Sequence, residues 1–137
     1  MSVVSQVVYD GTGLVLGRLA STAAKQSLLG KDVIIVNCDK ILVTGSRENI
    51  ITEWGQAARR GGHSLRGPFV PRKNTERILK RVIRGMLSYK QKRGLEALRR
   101  IRCYADVPEA YTSVPKQTLN RKVIHPTLAL KEVSRNI

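Results

Sequence analysis

Small and apolar residues at Leu16, Leu19, Ala20, Ala23, Ala24 and Leu28 recur every three or four positions, which marks one face of a helix. Val3 to Tyr9, rich in Val and Tyr, precedes that stripe and ends at Asp10-Gly11-Thr12-Gly13, as a buried strand running into a turn would. Gly30 supplies a natural helix stop. Val33-Ile34-Ile35-Val36 is a continuous β-branched run, the pattern of a strand covered on both faces. Strand, helix and strand within about 35 residues make a βαβ unit, whose strands are expected to be parallel and whose crossover right-handed.

Lys40 to Thr44 allows a further short strand. Ser46 is placed to cap a helix carrying Ile50, Ile51, Trp54, Ala57 and Ala58, with Glu48 in its first turn. Arg59 to Lys73 holds Gly61, Gly62, Gly67, Pro68 and Pro71 without periodicity and reads as a long loop, a length that points to function or disorder. Asn74 is expected to cap the next helix, with Glu76 near its positive end. Ile78, Leu79, Val82, Ile83, Met86 and Leu87 form its apolar face, and Arg77, Lys80, Arg81, Arg84 and Ser88 the opposite one. After a break near Tyr89, a helix from about Lys92 to Arg100 is expected, anchored by Leu95, Leu98 and Ile101. A strand from Arg102 to Ala105 follows. Pro108, Pro115 and Pro126 then interrupt any long element, and a short final helix is expected near Leu130 to Arg135.

Charge changes this picture most. The 137 residues carry 25 Lys and Arg against 10 Asp and Glu, a net charge of +15. Residues 59–102 hold 15 of those cations and two of the acids, Glu76 and Glu96, leaving the rest of the chain close to neutral. Arg outnumbers Lys there by 11 to 4, and the planar guanidinium suits bidentate phosphate contact and base stacking. A solvated face needs no such imbalance, because mixed signs would lower self-repulsion; a polyanionic partner explains it, nucleic acid ahead of an anionic membrane. Aromatics make up 4% of the chain, and Phe69 and Tyr89 are the ones between Arg59 and Arg102. Serial base stacking on a single strand is therefore disfavoured against backbone and shape recognition of folded, mostly double-helical RNA. The residues expected to bind it are Arg59, Arg60, His63, Arg66, Arg72 and Lys73 in the loop, Arg77, Lys80, Arg81 and Arg84 on the helix, and Lys90, Lys92, Arg93, Arg99 and Arg100 beyond it. Arg18 is a further candidate, with a structural salt bridge as the alternative.

Other chemistry finds little support. No apolar run approaches a membrane span, and the first residues lack the pattern of a secretion signal. Two cysteines, Cys38 and Cys103, make no disulfide scaffold and read as reduced thiols of a cytosolic protein. Gly11, Gly13 and Gly17 follow a strand and open a helix, but their G-x-G-x-x-x-G spacing is one residue longer than a dinucleotide fingerprint. Thr44-Gly45-Ser46-Arg47 lacks the phosphate-loop pattern. His63 and His125 have no ligand-like neighbours, so no metal site is expected, and no nucleophile elbow is present. Neither a cofactor, a small-molecule substrate nor catalysis is expected. The competing readings are an RNA-modifying enzyme on a Rossmann-like sheet, a DNA-compacting protein and a free regulatory RNA binder.

Several segments together resemble the large-subunit ribosomal protein L13 family. These are Asp10-Gly11-Thr12-Gly13, Leu16-Gly17-Arg18-Leu19-Ala20-Ser21, Ala24-Lys25, Leu29-Gly30, Val36-Asn37-Cys38-Asp39 and Thr44-Gly45. Arg84-Gly85-Met86-Leu87, Lys92-Arg93-Gly94 and Leu98 to Tyr104 look like the family's signature region. The match is collinear over about residues 7 to 105, and Lys92-Arg93-Gly94 looks archaeal. Ser88 departs from the family's usual proline, and the bacterial-type His-Pro-His segment after Tyr104 is absent. The length predicts one α/β domain over 1–137, and the resemblance implies a three-layer α/β/α fold with a mostly parallel four-stranded sheet, to which the basic loop and a helical extension are added. It also implies a structural role in the cytoplasmic large ribosomal subunit: binding large-subunit rRNA beside neighbouring large-subunit ribosomal proteins and supporting assembly, with no catalytic residues. On this reading the 59–73 loop threads between RNA helices and orders on binding.

Overall fold

A computed structural model describes residues 5–59, 71, 73–119 and 125–137. The predicted βαβ unit is β1 (Gln6–Asp10), α1 (Leu16–Leu28) and β2 (Asp32–Val36). The chain continues through a 3-10 turn at Cys38–Lys40, β3 (Leu42–Thr44), α2 (Arg47–Arg59), α3 (Thr75–Gly85), α4 (Lys92–Arg99) and β4 (Ile101–Cys103). A second 3-10 turn at Glu109–Tyr111, β5 (Thr127–Ala129) and α5 (Leu130–Asn136) complete the described elements. The strands order β1-β2-β4, with β2 parallel to both neighbours: Val8 lies opposite Ile34, and Ile35 opposite Cys103. β3 pairs antiparallel with β5 in a separate ribbon, Val43 opposite Leu128.

The α/β class and the parallel sheet are as expected, and two details differ. Among the described residues the parallel sheet has three strands, where four were expected. At the outer edge of β1, Gln117 makes a single parallel bridge with Tyr9: its N–H donates to Val8 O at 2.8 Å, and Asp10 N–H donates to Gln117 O at 3.0 Å. Pro115, two residues earlier, has no N–H to extend that pairing. Among the described residues, the second face of the sheet is covered by an irregular segment rather than a helical layer. Val8, Ile34 and Val36 are buried there against Tyr104, Val107, Tyr111 and Val114, on an irregular segment with one 3-10 turn.

The helices cover the other face. Tyr9, Val33, Ile35 and Ile101 pack with Leu19, Ala20 and Ala23 of α1, Leu79 and Ile83 of α3, and Ala97 of α4. The alanines let α1 approach the sheet and the neighbouring helices closely, and each fully buried Leu or Ile contributes about 1.5–3 kcal/mol. Helix α1 stops as Gly30 enters the left-handed region at φ +93°, with Lys31 N–H donating to Gln26 O at 3.2 Å and Gly30 N–H to Ser27 O at 3.1 Å. Leu28, expected on the apolar stripe, is 37% exposed, and Ser27 is buried in its place, donating to Ala24 O. Met86 lies just beyond α3 and is 44% exposed. Leu95 is 38% exposed too; α4 is held by buried Gly94 and Ala97 rather than by the larger side chain.

Gly94 is where the α3–α4 connection closes, since a Cβ there would overlap the Ser88 carbonyl. Gly94→Ala is expected to destabilise by about 1–3 kcal/mol, several degrees in Tm. Gly85→Ala, where a Cβ meets open space, should leave Tm unchanged or raise it. Thermal denaturation of the two variants checks this; equal shifts would contradict the packing.

Candidate nucleic-acid interface

Helix α3 sorts its residues by face. Ile78, Leu79 and Ile83 are buried, whereas Arg77, Arg81 and Arg84 are exposed along a stripe of about 10 Å. Three side chains tie the helix to the strand ends. Thr75 Oγ1 donates to Asp39 Oδ1 at 2.6 Å, Ala105 N–H donates to Glu76 Oε2 at 3.1 Å, and Lys80 Nζ donates to Ile101 O at 2.9 Å. Asn74 stands at the N-cap without a capping side-chain bond, so these tethers fix the helix start instead.

The two ion pairs among the described residues are Arg47–Glu132 at 3.3 Å and Lys131–Asp39 at 3.9 Å. Neither involves a described cation of the 59–102 segment, so the charge of those described residues is not offset by an ion pair. Arg77, Lys80, Arg81, Arg84 and Arg102 line a cleft of about 570 Å³ between α3 and β4, with Glu76 as the single acid. Leu98, Cys103 and Tyr104 give it an apolar wall. Arg84 also lies over the Tyr89 ring, 4.6 Å from its centroid, which orients the guanidinium.

The remaining expected contacts divide. Arg59 ends α2 exposed; α2 itself begins as foreseen, with Asn49 N–H donating to Ser46 Oγ at 3.3 Å. Lys73, Lys90, Lys92, Arg93 and Arg99 are exposed. Arg60, His63, Arg66 and Arg72 lie outside the described residues. Arg100 is half-buried, and its Nη1 donates to Ser27 O at 2.9 Å, a favourable place for a cation beside the C-terminal end of α1. Lys80 and Arg100 therefore have internal partners that sequence alone did not reveal. The expected list also omitted Arg102 and Tyr104, which join the cleft because β4 runs alongside α3.

The Gly11–Gly17 turn is occupied by its own structure. Gly11 N–H donates to Val36 O at 2.9 Å, Gly13 N–H to Lys40 O at 3.3 Å and Leu14 N–H to Gly11 O at 3.1 Å. Thr12 N–H and hydroxyl both donate to Asp10 Oδ1, which also accepts from Asn37 Nδ2 at 3.0 Å. The donors a pyrophosphate would need are thus engaged. Burial pushes the Asp10 carboxyl up, but the bonds from Asn37 and Thr12, with the nearby Lys116 charge, outweigh it and hold its pKa below the ordinary value. Arg18 is exposed and in neither ion pair.

Gly45 N–H donates to Pro126 O at 2.9 Å, and Ser46 acts as a cap, so the Thr44–Arg47 segment closes a turn. The two cysteines, far apart in sequence, are neighbours; Cys103 and then burial push the Cys38 thiol far up. No cluster of three or more His, Cys, Asp or Glu suited to a metal forms among the described residues. Nor is any described helix long and apolar enough to cross a membrane.

The family model described as Ribosomal protein L13 matches residues 5–110. A large ribosomal subunit protein uL13 from Methanosarcina barkeri is 48% identical over 102 residues, covering 74% of this chain and 71% of the relative. The Methanococcoides burtonii protein of that name is 36% identical over 135 residues, covering 95% and 96%. That from Natronomonas pharaonis is 37% identical over 134 residues, covering 97% and 91%.

Arg100→Ala should lower stability by about 1–3 kcal/mol, because a carbonyl at the end of α1 loses its donor. Arg99→Ala should stay within about 0.5 kcal/mol. Denaturation midpoints separate the two, and equal effects would contradict the assigned roles. For Asp10, the folded carboxyl has the lower pKa, so its contribution is fully present above the unfolded value near 3.8 and is lost as pH falls through the folded value. The Tm gap between the wild type and Asp10→Asn should narrow from pH 5 to pH 2; a constant gap would contradict the hydrogen-bonded carboxylate.

Proposed function

Because the chain belongs to the ribosomal protein L13 family, of archaeal type, and is a structural constituent of the large ribosomal subunit rather than an enzyme, we propose that it binds large-subunit rRNA through the α3 stripe and the cleft beside it. The observation that carries this reading is the placement of Arg77, Arg81 and Arg84. They are exposed, in neither of the ion pairs among the described residues, and mounted on a helix whose opposite face is locked into the core.

The mechanism is electrostatic and geometric. Phosphate backbones that converge in a folded RNA repel one another, and a fixed row of guanidinium groups neutralises them at set positions. Each displaces condensed counterions, which makes the affinity salt-dependent. These contacts set register and orientation, while RNA shape supplies specificity. Lys90, Lys92, Arg93 and Arg99 extend the surface past the α3–α4 turn. Lys80 and Arg100 act chiefly by holding α3 against β4 and α4 against α1. The single domain is thereby a rigid mount that holds rRNA segments in register during assembly, beside neighbouring large-subunit proteins.

The double variant Arg81→Ala/Arg84→Ala should weaken binding to large-subunit rRNA and flatten the slope of log affinity against log salt by up to about two phosphate contacts. Its Tm should change little, since both side chains are exposed. Filter binding across a salt series checks this; an unchanged slope would remove the α3 face from the contact surface.

A further inference from the structure

The cleft beside α3 is not lined as a plain phosphate-binding face would be. Leu98, Cys103 and Tyr104 line its roughly 570 Å³ together with the cations. Phosphates have no use for an apolar wall. The volume falls within the range of about 300–1,000 Å³ typical of small-ligand sites, too small for a duplex and ample for one nucleotide. Tyr104, packed on Tyr111 with ring centroids 5.8 Å apart, brings an aromatic residue to the cleft's lining. Unstacked bases are bound in RNA complexes by stacking on aromatic rings or on guanidinium planes.

From this arrangement, and resting on the rRNA-binding reading above, we propose that the cleft takes a single unpaired nucleotide extruded from the rRNA. Its base lies against Leu98, Cys103 and Tyr104, and its flanking phosphates lie on Arg77, Arg81 and Arg102. Glu76 fits a base better than it fits an acidic peptide. One of its oxygens accepts from Ala105 N–H, leaving the other for an amino group on the base edge, as carboxylates accept from cytosine N4. The same carboxylate would repel an acidic protein segment. Extrusion is costly, least so for a nucleotide already unpaired, so the site selects a bulge or loop and adds a positional check to the phosphate contacts.

Cys103 reports occupancy directly, because it lines the cleft and is partly accessible. Cys38 is buried with a raised pKa and stays silent. The full chain is saturated with large-subunit rRNA transcript, Cys103 is alkylated with N-ethylmaleimide, and the complex is separately irradiated for zero-length crosslinking. The expected result is alkylation slowed at least tenfold, with a crosslink between the Cys103–Tyr104 peptide and one unpaired nucleotide. Bound RNA with Cys103 alkylated at the free rate would overturn the proposal and leave the phosphate reading standing. So would protection with crosslinks confined to paired nucleotides, since a duplex would then merely cover the cleft. Protection in assembled subunits but not by RNA alone would assign the cleft to a neighbouring protein and overturn it too. Failure to bind the transcript at all would remove both readings.

Discussion

The seating of α3 against the sheet is the constraint on which the molecule depends. Leu79 and Ile83 are buried on one side, and the bonds made by Thr75, Glu76 and Lys80 fasten the helix to residues at the ends of the strands. Arg77, Arg81 and Arg84 are thereby fixed close together despite their mutual repulsion. A flexible basic tail would relax that repulsion by spreading out; a helix pinned by apolar burial does not. The folded chain therefore holds exposed positive charge in a set geometry, which is what recognition of a polyanion by shape requires.

The neutral part of the chain supplies the rigidity. β2 is buried from Val33 to Val36, with helices on one face and the 104–114 segment on the other. The loop between β1 and α1 is knitted to β2 through Asp10 and Asn37, so the end of a parallel sheet where nucleotides often bind is filled by the chain itself. On the proposed reading, a fold that elsewhere hosts enzymes serves as a mount, and function resides in what the helices carry.

Much of this was legible in the residues. The apolar spacing of α1 and the β-branched run of β2 fixed the βαβ unit, because both patterns report burial directly. The charge count pointed to the proposed interface for a similar reason: fifteen cations against two acids in residues 59–102 have few internal partners available. What stayed hidden depends on tertiary geometry. Lys80 and Arg100 look like their exposed neighbours in sequence, and only the approach of Ile101 O and Ser27 O gives them internal roles. Tyr104 reads as the end of a strand until β4 is laid beside α3. The irregular cover of the second sheet face follows from Pro108 and Pro115, whose presence forbids a long helix but does not say where the chain packs.

The most direct measurement is arginine modification by a dicarbonyl reagent, read by peptide mass spectrometry on the free protein and on intact large subunits. The account predicts strong protection of Arg77, Arg81 and Arg84 in the subunit, because their guanidinium groups meet RNA backbone there. Modification of these three at the same rate in both states would contradict it.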